Sequence, residues 1–99
     1  MTSVRLDLNS TEFQEQLFSL HDQERNEVLG TLKKLHQMTW DQVYTDGGIR
    51  WERILSKQGR RGEPLYTIRM GRGFRAVAYR EGDWMVLLTL HPDHDTAYE

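Results

Sequence analysis

The chain has 99 residues, room for one domain and one modest core. With 37% apolar and 28% charged residues it has a globular balance, and no apolar run approaches the roughly 20 residues of a membrane helix. It has no cysteine, which excludes a disulfide scaffold and a Cys-based zinc site and fits a reducing, cytoplasmic setting; the first residues show no signal-peptide core.

The net charge of −2 conceals three blocks. Residues 1–49 carry four Lys/Arg against eight Asp/Glu, residues 50–80 carry nine against two, and residues 81–99 carry none against five. Eight of the nine central cations are Arg, whose planar fork suits phosphate. Such a block makes a local positive field. It fits a nucleic-acid surface, and it fits equally a solvated sheet face paired with acidic helices, so placement has to decide.

Residues 4–8 alternate apolar and polar, the pattern of a short strand. Asn9-Ser10-Thr11 opens a helix, and Thr11 with Gln14 has the form of a capping box. Phe13, Leu17 and Leu20 share one face of it. His21-Asp22 breaks the helix, and Asp22 is placed to cap the next one. Val28, Leu29, Leu32 and Leu35 form that second helix's apolar stripe, and Lys33, Lys34 and His36 suit its C-terminal end. Residues 39–46 hold a short helical turn, ended by Gly47-Gly48.

From there the period changes to two, with strands expected over 50–56, 65–70, 74–80 and 84–90. Residues 59–64 form an exposed basic loop, and 71–73 and 81–83 are tight hairpin turns. Gly71-Arg72-Gly73 is better explained by such a turn than by a phosphate loop. Residues 84–90 are almost continuously apolar, as in an internal strand covered on both faces. The expected class is α+β: an N-terminal strand and a helical hairpin packed on one face of a mostly antiparallel sheet of four or five strands. Nothing divides residues 1–99 into more than one domain. Trp40, Trp51 and Trp84 are expected in the core, with Trp51 the first candidate for an exposed anchor.

Strand alternation assigns faces. Tyr66, Ile68, Met70, Phe74, Ala76 and Ala78 belong under the helices, and Leu65, Thr67, Arg69, Arg75, Val77 and Tyr79 on the open face. Arg69 and Arg75 then lie side by side across one hairpin and repel unless an anion sits between them. Glu52 or Asp95 can supply that anion from within the chain, and a phosphate can supply it from outside. Past the last strand come His91, Asp93, His94, Asp95 and Tyr98. Histidine moves protons near neutral pH. The spacing of His91 and His94 is only a weak zinc signal, and neither metal nor cofactor is expected.

Residues 65–69 (Leu-Tyr-Thr-Ile-Arg), residues 73–79 (Gly-Phe-Arg-Ala-Val-Ala-Tyr), the apolar strand 85–90 and the closing Ala97-Tyr98 together resemble the RelE/ParE superfamily of bacterial toxins from type II toxin–antitoxin systems. The likeness covers most of the chain and is strongest from Leu65 to Tyr98. It implies a RelE/ParE-like fold, a cognate antitoxin and, for RelE-like members, metal-independent cleavage of mRNA in the ribosomal A site. By position, Arg75 matches the strand arginine on the scissile phosphate and Arg69 a basic residue on the preceding strand. Tyr98 matches the terminal aromatic that stacks on the substrate, and His91 or His94 lies where some members place a histidine. Thr67 stands where the family's ribonucleases carry a second basic residue.

The expected function is therefore a ribosome-dependent endoribonuclease that represses translation, with Arg75 and Arg69 stabilising charge and His94 or His91 handling protons. Lys57, Arg60, Arg61 and Arg72 would hold RNA backbone. The alternatives are a ParE-like gyrase inhibitor and an inactive, protein-binding member of the same fold.

Overall fold

The structure, a computed structural model, describes residues 2–92. The chain runs β1 (Arg5–Asp7), α1 (Thr11–Phe18), α2 (Asp22–His36), α3 (Trp40–Thr45), β2 (Glu52–Gln58), β3 (Pro64–Gly71), β4 (Phe74–Glu81) and β5 (Trp84–Pro92). The strands form one sheet in the order β1-β5-β4-β3-β2, with β1 parallel to β5 and the other pairs antiparallel. None of the helices is long and apolar enough to cross a membrane.

Local chemistry sets the helix ends. The cap of α1 is Ser10, one residue before the expected Thr11: its Oγ accepts the Phe13 N–H at 3.2 Å and donates to the Leu88 carbonyl at 2.7 Å. One hydroxyl thus closes the helix and ties it to β5. Likewise α2 begins at Asp22 itself, with His21 in the cap position. Thr39 and Gln42 form a reciprocal box at the start of α3. That helix ends where the Asp46 carboxylate accepts the N–H groups of Gly48 and Ile49, two bonds that hold its pKa below the ordinary value.

The helix layer covers one sheet face. Phe13, Leu17, Val28, Leu32 and Leu35 pack with Trp40 and Val43 onto Ile68, Met70, Ala76, Ala78, Met85, Leu87 and Leu90. Each fully buried large side chain contributes about 1.5–3 kcal/mol. Leu29 leaves the expected stripe and is exposed, because the buried positions Val28, Leu32 and Leu35 follow the i, i+4, i+7 spacing without it. On the other face Ile54, Leu65 and Val77 make a small second cluster with Tyr79 and Leu88.

Two of the tryptophans pack in or against the core as expected, and the third departs from it. Trp40 is buried, and its indole N–H donates to the Asp83 carbonyl at 2.9 Å, pinning α3 to the β4–β5 turn. Trp51 is half-buried, stacked on Tyr66 at 4.4 Å and edge-on to Trp40 at 5.3 Å. The exposed one is Trp84, at the start of β5, where the Arg5 guanidinium lies 5.8 Å from its ring. β2 also starts later than expected: Arg50 has a φ of 56°, which takes it out of the strand.

Candidate anion-binding site on the open face

Pairing register gathers the cations. Arg69 of β3 is opposite Arg75 of β4, and Arg75 is opposite His91 of β5. These three residues form a row across the sheet on the face opposite α1, α2 and α3. The next row is Glu52, Thr67, Val77 and Thr89. Arg50, just before β2, closes the first row, since the Arg69 N–H donates to the neighbouring Ile49 carbonyl at 2.8 Å.

Arg75 is the centre of the site. Its side chain is only 8% exposed. Both terminal nitrogens donate to Oε1 of Glu52 at 3.3 Å, and Nη1 also donates to Thr67 Oγ1 at 3.2 Å. Of the two internal counter-charges weighed from sequence, Glu52 is in place beside Arg75, and Asp95 lies outside the described residues. The other oxygen of Glu52 faces Arg50 at 3.7 Å. Glu52 is therefore a single carboxylate between two guanidiniums, with Arg69 exposed alongside. Thr67 has a definite part: it is fully buried and steadies the guanidinium, where a Lys would repel it.

His91 is half-buried, and its Nε2 lies 2.7 Å from Thr89 Oγ1. Burial pushes its pKa below 6.5, the Glu12 carboxylate pushes it up, and the Lys57 ammonium pushes it down. The net result is an imidazole held neutral at neutral pH, in the form that can accept a proton.

Arg60 and Arg61 flank a groove of about 700 Å³ on the same face, floored by Leu65, Tyr79 and Leu88. Arg61 is also within 4.0 Å of Glu63 and 3.8 Å of Glu81. Arg72 sits in the β3–β4 turn, its backbone N–H donating to Glu27 of α2, so the turn leans toward the helix layer. The structure thus brings together Arg69, Arg75 and His91, places Lys57 within electrostatic reach, and leaves Arg60, Arg61 and Arg72 peripheral. His94 and Tyr98 lie outside the described residues. Sequence reasoning gave Arg50 no role of its own, and only the structure shows it reaching Glu52 from just before β2.

No family model and no curated protein matches the chain. Among solved structures it is similar to the archaeal RelE–RelB complex from Pyrococcus horikoshii OT3, at 20% identity over 93% of this chain and 96% of that one, with a TM-score of 0.59. A copper-bound mutant toxin from Helicobacter pylori aligns at 20% identity over 97% and 99% of the two chains, with a TM-score of 0.46. With an α+β arrangement of three helices on one face of a five-stranded sheet that superposes along nearly its whole length, the chain has the RelE-like fold.

Proposed function

We propose that this chain is the toxin of a toxin–antitoxin pair and cleaves mRNA on the ribosome without a metal. The observation that carries this reading is the row Arg69–Arg75–His91 on the sheet face opposite the helices of a RelE-like fold. In the reaction, the ribose 2′-OH attacks the adjacent phosphorus, the bond to the 5′-oxygen breaks, and a 2′,3′-cyclic phosphate and a 5′-hydroxyl result. His91, kept neutral by burial, takes the 2′-OH proton. Arg75 and Arg69 face the charge that builds on the phosphorane oxygens. His94 is assigned the proton for the leaving oxygen and Tyr98 the stacking on a substrate base. Arg60, Arg61 and Lys57 hold RNA backbone in a salt-dependent way.

The Pyrococcus protein was solved as a RelE–RelB complex. An antitoxin partner is proposed here too, and an acidic segment of it fits residues 50–80 by charge. Primer extension on an mRNA in a cell-free translation reaction tests the reading. Cuts that need ribosomes and disappear in Arg75→Ala are expected. Intact mRNA with undiminished translation would refute it, and gyrase inhibition would then be assayed.

A further inference from the structure

We propose that Glu52 is an internal ligand of the phosphate seat, occupying Arg75 and Arg50 until a phosphodiester displaces it, so that it sets how strongly an anion must bind to enter. The proposal rests on the ribonuclease reading for its natural ligand, a single-stranded RNA, but its geometry stands apart from that reading.

Four features distinguish this contact from a pair that only holds the fold together. The first is asymmetry: the Arg75 side chain is 8% exposed and Glu52 is 47% exposed, so the cation is fixed and the anion sits at the rim. The second is the weak grip. Both guanidinium nitrogens share one carboxylate oxygen at 3.3 Å, whereas charge-assisted bonds are typically about 2.7–2.9 Å and a two-oxygen fork is the stronger arrangement. A phosphodiester offers two such oxygens. The third is support from below: Thr67 Oγ1 holds Nη1 at 3.2 Å, so the guanidinium keeps a partner when Glu52 swings out. The fourth is the charge around Glu52: its carboxylate faces both Arg50 and Arg75, and among the described residues the exposed Arg69 beside them has no ion pair. A phosphodiester carries the same single charge as the carboxylate it replaces, and it also meets Arg69. The exchange adds an attraction.

An internal competitor lowers apparent affinity by the fraction of molecules in which the seat is open. If Glu52 holds the seat nine times in ten, removing it strengthens binding about ten-fold. Glu52→Asp is the informative change. It keeps the net charge and withdraws the carboxylate by one C–C bond, about 1.5 Å, out of hydrogen-bond reach. Glu52→Gln removes the charge and keeps the reach. Glu15→Gln, an exposed carboxylate on α1, controls for net charge.

The experiment titrates inorganic phosphate while following the Arg75 guanidinium resonances by NMR. A 2′-O-methylated oligonucleotide, which cannot cleave itself, is titrated in parallel by fluorescence anisotropy. Thermal melts confirm that each variant is folded. Phosphate and oligonucleotide should bind about ten-fold more tightly to Glu52→Asp and Glu52→Gln than to the unaltered chain. The gain should vanish when Arg75→Ala is added. Unchanged binding in Glu52→Asp overturns the proposal, as does a gain matched by Glu15→Gln or one that survives Arg75→Ala. Tighter phosphate binding without mRNA cuts on ribosomes would leave this inference standing and remove the ribonuclease reading. Cuts without any gain in phosphate binding would do the reverse.

Discussion

Arg75→Ala should cost stability as well as activity, and the two losses can be separated. The side chain is 8% exposed, so its stem is packed as well as its charge. Removing the two largely buried methylenes beyond Cβ costs about 2 kcal/mol. The lost bonds to Glu52 and Thr67 would cost more if both partners were buried, but Glu52 is 47% exposed and regains water, so about 1 kcal/mol is assigned to them. The sum, about 3 kcal/mol, lowers the melting temperature by about 12–24 °C for a domain of this size. Domains of this kind have roughly 5–15 kcal/mol in hand, so the variant stays mostly folded at 25 °C. Glu52→Gln keeps an acceptor at the rim and should cost about 1 kcal/mol or less. Urea titrations followed by tryptophan fluorescence measure both. If Arg75→Ala leaves the midpoint unchanged, or if Glu52→Gln costs as much, the guanidinium is not held as the structure describes. Cleavage assayed where the variant is folded should still fall by roughly 10²-fold, a loss that belongs to charge stabilisation alone.

The His91 imidazole should titrate with a midpoint below 6.5 by NMR. Because the unfolded chain then takes up this proton first as pH falls, the His91 contribution is complete above about pH 6.5 and declines on acidification, and His91→Gln should flatten that slope in urea midpoints. Trp40→Phe deletes the bond to the Asp83 carbonyl and should cost about 1–2 kcal/mol in the same titrations. Arg60→Ala with Arg61→Ala should weaken oligonucleotide binding uniformly across sequences and reduce the salt slope by about 1.4 if each holds one phosphate of the single strand. An unchanged slope would remove both from the RNA path.

Most of the fold was legible because the sequence patterns are local. Alternation put Ile68, Met70, Ala76 and Ala78 under the helices, and they are in the main core. It put Leu65, Val77 and Tyr79 on the open face, and they form the second cluster there. The misplacements are also local in cause. Ser10 and Thr11 are both good caps, and only the tie to the Leu88 carbonyl, 78 residues away, selects Ser10. Trp84 has the composition of a core residue, but it opens β5 opposite Glu81 with the parity of Tyr79 and Val86, so it lies on the open face while Met85 enters the main core.

The site was legible in part, and the missing part is a matter of phase. Arg69 and Arg75 follow from alternation and a tight turn, so their pairing could be read directly. His91 could not. From Glu81 opposite Trp84 to Ala78 opposite Leu87 the β4–β5 register is regular, but Val77 is opposite Thr89, so Leu88 is an extra residue. Without that bulge Arg75 would face Leu90, and His91 would point into the helix layer. With it, Leu90 enters the main core, Leu88 joins the open-face cluster, and His91 stands beside Arg75. A strand that reads Trp-Met-Val-Leu-Leu-Thr-Leu has apolar residues at both parities, so it has no alternation that would expose the slip. The same apolar continuity that identifies β5 as an internal strand therefore hides the residue shift that completes the row of Arg69, Arg75 and His91.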